Sequence, residues 1–168
     1  MMTALRLIHI VLGVFWAGTM FFFALFLEPS MREAGPDAMK VTQGLMKRGY
    51  MMVMPVVALL VILSGFALMW IVSDHLAPEW MGSRLGMALS SGMLASLIAF
   101  ALGVGVMRPV MMRSAALAQG MSQLADGPDK AARQAELQLL RRRGTLLLRI
   151  IAGLLAVAVA LMAVARYL

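Results

Sequence analysis

The chain has 168 residues, of which 62% are hydrophobic and 14% charged, with a formal net charge of +7 and a mean hydropathy of +0.88. A water-soluble domain of this size leaves roughly 30% of the surface of its unfolded chain exposed, so it cannot hide this much apolar surface from water. The composition therefore excludes a soluble domain and predicts a protein whose solvent is the lipid bilayer.

Charge and cysteine content exclude further classes. The basic residues flank apolar runs, where membrane topology places them, so the positive charge does not indicate nucleic-acid binding. The absence of cysteine excludes disulfides, thiolate metal sites, iron–sulfur clusters and covalently attached c-type haem. The first apolar run is too long for the apolar region of a signal peptide, and no small-residue cleavage site follows it, which argues against a cleaved leader.

Four transmembrane helices are predicted, within a single membrane domain that covers residues 1–168. Long unbroken apolar runs, rather than alternating ten-residue segments, favour helices over a barrel. The spans lie at about residues 5–27, 51–72, 85–107 and 145–164. Each is about 20 residues long, which matches a hydrocarbon core about 30 Å thick. The predicted fold is an all-α, polytopic four-helix bundle.

The loops after the first and third spans carry most of the positive charge, with twelve of the fifteen lysines and arginines in or next to them. The positive-inside rule places these loops in the cytoplasm, so both termini are predicted on the extracytoplasmic side of a bacterial inner membrane. Residues 108–144 show helical spacing on both sides of a turn, which predicts a cytoplasmic helical hairpin between the third and fourth spans.

His9 is the first candidate for chemistry. An ionisable side chain inside a membrane helix is costly and marks a candidate functional site, and neutral imidazole is a common ligand of haem iron and other metals. Gly13 and Trp16 follow at i+4 and i+7, so the three residues share a face that can line one edge of a flat macrocycle. The alternative is that His9 is hydrogen-bonded to a neighbouring helix or to water, with the stripe serving ordinary helix packing.

His75 is the second candidate. It follows Asp74 in a polar turn beyond the second span, on the same side of the membrane as His9, so the two histidines can ligate a haem b iron from opposite sides. A solvated histidine is the more common occupant of such a turn. Arg6 and Arg84 lie at the same level and can pair with the haem propionates, or they anchor the helix ends at the interface.

The chain also has 18 methionines, an unusually large number. Thioethers can bind Cu(I), but methionine is equally an adaptable apolar residue of membrane cores. The methionines form two clusters, one at Met51, Met52 and Met54 and the other at Met107, Met111 and Met112.

The run from Leu7 to Phe22, LIHIVLGVFWAGTMFF, resembles the first helix of the copper-resistance-D-like membrane proteins. It is also similar to the HemJ-type protoporphyrinogen oxidases in the spacing from His9 to Trp16. The resemblance implies a four-helix membrane layout with haem binding by His9. HemJ-type proteins have a second histidine at the end of the first helix, where this chain has Glu28, and a lysine in the third helix, where it has none.

Together these features predict an integral inner-membrane protein that binds haem b near its outer face for electron transfer or haem handling. One alternative is a cofactor-free accessory or scaffold subunit, which docks other membrane subunits or a second copy of itself. Another is a copper-handling protein that uses its methionines. The chain carries no paired carboxylates inside a span, no phosphate loop and no Ser-His-Asp set, so no catalytic residues are predicted and oxidase activity lacks its expected residues.

Overall fold

The computed structural model describes residues 2–35, 38–121 and 127–168, and this part of the chain is helical, with no strand. Four of its helices are long and apolar enough to cross a membrane, which confirms the predicted all-α fold class and identifies a multi-pass membrane protein. The helices are α1 (Met2–Glu33), α2 (Ala38–Lys47), α3 (Tyr50–Val72), α4 (Pro78–Met81), α5 (Arg84–Met121) and α6 (Pro128–Val164), the last continued by a 3₁₀ turn, Ala165–Tyr167.

Two of the long helices contain a π-helical turn. The turn of α1 covers Phe23–Leu27 and that of α5 covers Gly103–Met107. A π turn widens the helix locally without ending it. The two helices therefore continue past the spans predicted at residues 5–27 and 85–107, reaching Glu33 and Met121.

The bundle is closed by contacts of α1 with α3, of α3 with α5, of α5 with α6 and of α6 with α1. Its core combines one large aromatic side chain with small and branched ones, all less than a tenth exposed: Trp16, Ala58, Ala99, Ile151 and Leu155. Large apolar side chains such as Leu7 and Leu94 are exposed on the outward faces. A lipid environment accounts for these exposed apolar side chains, because the outward faces of a membrane bundle contact acyl chains.

Small residues allow α5 and α6 to approach closely. A Cβ atom added to Gly92 would lie 3.3 Å from the Ala158 carbonyl oxygen, and Ser96, one turn later, is buried. The Ser96 hydroxyl donates to the Gly92 carbonyl at 3.0 Å, so it places no unpaired polar group in the contact. Close approach of this kind holds membrane helices together where no hydrophobic force acts between them.

The far parts of α5 and α6 pack against each other as the two arms of a helical hairpin. Arg113 and Glu136 form an ion pair between the arms, and Ala118 and Leu137 are buried between them. The connection at residues 122–126 lies outside the described residues. We call the end of the bundle that carries this hairpin the basic end, and the opposite end, with His9 and His75, the histidine end.

Candidate functional site

His9 is held by the helix that packs against it. Its Nδ1 lies 2.9 Å from the Val61 carbonyl oxygen and 3.2 Å from the Ser64 hydroxyl oxygen. A carbonyl oxygen can only accept, so Nδ1 carries the proton and donates it. The Ser64 hydroxyl donates to carbonyls of its own helix, at 2.7 Å to Leu60 and 3.0 Å to Val61, so it too acts as an acceptor toward His9.

This arrangement fixes the tautomer of the imidazole. With the proton on Nδ1, Nε2 presents a lone pair. Among the described residues Nε2 has no hydrogen-bond partner, and the His9 side chain is only half-buried. The ring is therefore oriented by Nδ1, while Nε2 keeps a lone pair that no described residue engages.

Gly65 makes room for the ring. A Cβ atom at this position would lie 2.7 Å from His9 Cε1, closer than such contacts are found, and 3.2 Å from Nδ1, which is tighter than most. Any side chain larger than that of glycine would push the imidazole away from α3. Ser64 and Gly65 were not among the residues predicted from the sequence, although a serine–glycine pair within an otherwise apolar span was a visible signal.

The two other residues of the His9 stripe also face into the bundle. A Cβ atom on Gly13 would lie 3.9 Å from Val61 Cγ1, an ordinary contact with α3. Trp16 is 5% exposed and belongs to the core. His9, Gly13 and Trp16 thus line the inner side of α1, and their role beside a macrocycle stays a prediction.

His75 lies in a different environment. Its side chain is 68% exposed, its Nδ1 is 3.2 Å from Asp74 Oδ1, and its ring meets the edge of Trp70 at a centroid distance of 5.2 Å. Asp74, His75 and Leu76 have φ values of 50°, 64° and 67°, so three successive non-glycine residues adopt the left-handed conformation. The histidines have separate partners, and their joint ligation of one iron stays a prediction.

The two arginines predicted at this level are both exposed. Arg6 lies on the first turns of α1, and Arg84 begins α5. The start of α5 is fixed by Ser83, whose hydroxyl accepts a hydrogen bond from the Gly86 amide at 3.0 Å. Both guanidinium groups are therefore available for an anionic ligand at the histidine end.

A metal ion held by histidine and carboxylates alone finds no preformed site in residues 2–35, 38–121 and 127–168. No group of three or more such side chains comes together there. A haem iron needs fewer ligands from the protein than a free metal ion does, since the macrocycle supplies four nitrogen ligands. The oriented His9 ring with its free Nε2 fits that requirement.

A second candidate site lies toward the basic end. A cavity of about 70 Å³ lies between α1, α3, α5 and α6, and Ala99, Ile151 and Arg108 are among the residues that line it. Five methionines from three helices line it: Met20, Met51, Met54, Met107 and Met111. The fold therefore brings two members of each methionine cluster, together with Met20, to the wall of one cavity, which spacing along the chain could not show.

Comparison with known proteins identifies no relative. No protein-family model, no curated protein and no solved structure matches this chain. The resemblance of the first helix to haem-binding membrane families therefore remains a prediction.

Proposed function

We propose that this membrane protein binds haem b through His9 at its histidine end and serves electron transfer or haem handling. The observation that carries the proposal is the hydrogen bond from His9 Nδ1 to the Val61 carbonyl, which fixes the ring and leaves Nε2 unprotonated. Histidines that ligate metals nearly always donate their other ring N–H to a carbonyl or carboxylate, which orients the ring and raises its basicity.

The chain's own residues have distinct roles in this proposal. His9 would bind the haem iron through Nε2, Val61 and Ser64 would hold its tautomer, and Gly65 allows the ring to lie against α3. Arg6 and Arg84, both exposed at the histidine end, would neutralise the propionates. The haem would supply reversible one-electron chemistry. The positive-inside rule puts this end on the extracytoplasmic side of an inner membrane.

The test is the visible spectrum of protein purified from cells supplied with a haem precursor. We expect a Soret band in the wild type, and His9→Ala should abolish or shift it. His75→Ala is the matched control for loss of an imidazole, and it separates one-histidine from two-histidine ligation. An absent Soret band in haem-replete wild-type protein, or an unchanged spectrum in His9→Ala, would refute the role of His9.

The methionine cavity supports a second candidate function, the handling of Cu(I). Thioethers are soft ligands that select Cu(I), and five methionines from three helices line this cavity. The residues with the strongest claim are Met54, which is 6% exposed, and Met20, at 7%. Met52 and Met112 belong to the same sequence clusters but are 72% and 55% exposed, and neither lines the cavity.

The difference between methionines that line the cavity and methionines that do not provides matched controls. Replacing Met20, Met54 and Met107 by leucine should remove stoichiometric Cu(I) binding, whereas Met52→Leu and Met112→Leu should retain it. The readout is competition of the purified protein with a chromophoric Cu(I) chelator. Equal binding by all these variants would exclude the cavity. If neither haem nor Cu(I) binds, co-purification with stoichiometric membrane partners would favour the scaffold subunit instead.

A further inference from the structure

The outward face of α6 carries three arginines near the basic end. Arg142, Arg143 and Arg149 are all exposed, whereas Leu140 and Leu148 are buried in the bundle. At about 100° per residue, the three arginines occupy an arc of roughly 120° around the helix, centred opposite the buried positions. Their guanidinium groups therefore face the surroundings of the bundle and not its core.

Large apolar side chains are interleaved with these arginines on the same arc. Leu139 is 58% exposed, Leu146 is 60% exposed and Ile150 is 42% exposed. The apolar side chains favour contact with acyl chains, while a guanidinium group favours the phosphate layer. This alternation is typical of a helix segment that crosses the boundary between hydrocarbon and headgroups.

Of the three arginines, Arg149 lies deepest in the apolar part of the helix and has the greatest need for a counter-ion. It lies four residues after Thr145, about 6 Å further along the helix and inside the apolar stretch of α6. The ion pairs seen in the described part of the chain lie elsewhere, and none of them involves Arg142, Arg143 or Arg149. A charge at this depth is costly unless it is paired, so a counter-ion from the bilayer is favoured.

We propose that this face of α6 binds anionic phospholipids. The phosphates would pair with Arg142, Arg143 and Arg149, and the acyl chains would lie along Leu146 and Ile150. Arginine suits this role because its planar guanidinium group binds phosphate oxygens in a bidentate manner. From residue 142 to residue 149 the axial distance is about 10 Å, more than the roughly 5–8 Å depth of one headgroup region, so the row of arginines extends from the headgroups to the edge of the hydrocarbon.

The interleaved leucines favour a lipid over an acidic soluble protein. A soluble partner can reach arginines that project into water, but it cannot reach Arg149 inside the apolar stretch or gain from covering Leu146 beside acyl chains. The proposal concerns the opposite end of the molecule from His9 and does not depend on haem.

The test is native mass spectrometry of the full chain in detergent, titrated with phosphatidylglycerol and, separately, with phosphatidylcholine of the same acyl chains. We expect wild-type protein to retain phosphatidylglycerol preferentially. Each Arg→Gln change at the three positions should weaken this retention by roughly fivefold, so the triple variant should lose the preference. The triple Arg→Lys variant should keep part of it, because the charge remains while bidentate binding is lost.

Arg133→Gln is the matched control, since Arg133 is exposed on the same helix but lies nine residues before Arg142, about 14 Å away along the axis. Its lipid retention should equal that of the wild type. Should the triple variant fail to fold, Arg149→Gln alone is compared with Arg133→Gln. Equal retention of both lipids by the wild type, or undiminished phosphatidylglycerol retention by the folded triple or single variant, would overturn the proposal.

Discussion

Glu28 and Thr145 are 117 residues apart in sequence, yet the Thr145 hydroxyl lies 2.9 Å from Glu28 Oε1. The contact joins the first and last long helices at the basic end of the bundle. Glu28 Oε2 is buried and has no hydrogen-bond partner among the described residues. The Thr145 hydroxyl, which also lies 3.1 Å from the Arg141 carbonyl oxygen, is therefore the one side-chain partner that the described residues give this half-buried carboxyl group, which makes the pair sensitive to substitution.

Replacing Thr145 by valine should destabilise the protein by about 1–3 kcal/mol, because the shape is kept while the carboxyl group loses its partner. The measurement is the thermal unfolding midpoint in detergent. Thr19→Val is the control, since among the described residues the Thr19 hydroxyl bonds to the Phe15 carbonyl of its own helix and to no other helix. A double variant with Glu28→Leu should recover stability, and equal midpoints for Thr145→Val and wild type would contradict this interpretation.

Gly65→Ala should displace His9, because the added Cβ would lie 2.7 Å from Cε1. Crowding of this kind typically costs about 1–3 kcal/mol. Gly153→Ala adds the same methyl group where nothing lies within 4 Å, so it should leave stability unchanged or slightly raised through helix propensity.

The double variant Gly65→Ala with His9→Ala should be more stable than Gly65→Ala alone, because the clash needs both side chains. The unfolding midpoints of the wild type, Gly65→Ala, His9→Ala and the double variant give the coupling between the two positions directly. Additive effects would mean that His9 does not lie against Gly65. If the protein binds haem, Gly65→Ala should also change its Soret band.

Gly92→Val should loosen the α5–α6 contact, because its Cβ would meet the Ala158 carbonyl oxygen at 3.3 Å and the branched methyls extend further. We expect a loss of about 2–3 kcal/mol from overpacking. The comparison is Gly18→Val, which places the same side chain where nothing lies within 4 Å. Similar midpoints for the two variants would show that the close approach contributes little.

Arg113→Gln should have a small effect in spite of the ion pair with Glu136. The Arg113 side chain is 67% exposed, and exposed pairs are generally worth about 0–1 kcal/mol. The prediction is a midpoint close to that of the wild type, with any difference disappearing at high salt. A large and salt-independent loss would mean that the pair holds the hairpin together.

Much of the fold could be predicted because bilayer thickness fixes the length of an apolar run. Helical periodicity likewise placed His9, Gly13 and Trp16 on one face. The partners of that face could not be predicted, because contact of His9 with Ser64 and Gly65 depends on how α1 and α3 are aligned. The same holds for Met20, which lies in a different span from the methionines it meets across the cavity.

The π turns of α1 and α5 have a consequence for changes in chain length. Each turn acts as a one-residue insertion, so the residues beyond it are rotated by about 100° from where an uninterrupted α-helix would direct them. Deleting a single residue within Phe23–Leu27 would restore a regular helix and rotate Glu28 away from Thr145, and a deletion within Gly103–Met107 would rotate Arg108 by a similar angle. The alignment of the basic end therefore depends on two added residues, one in each of these helices.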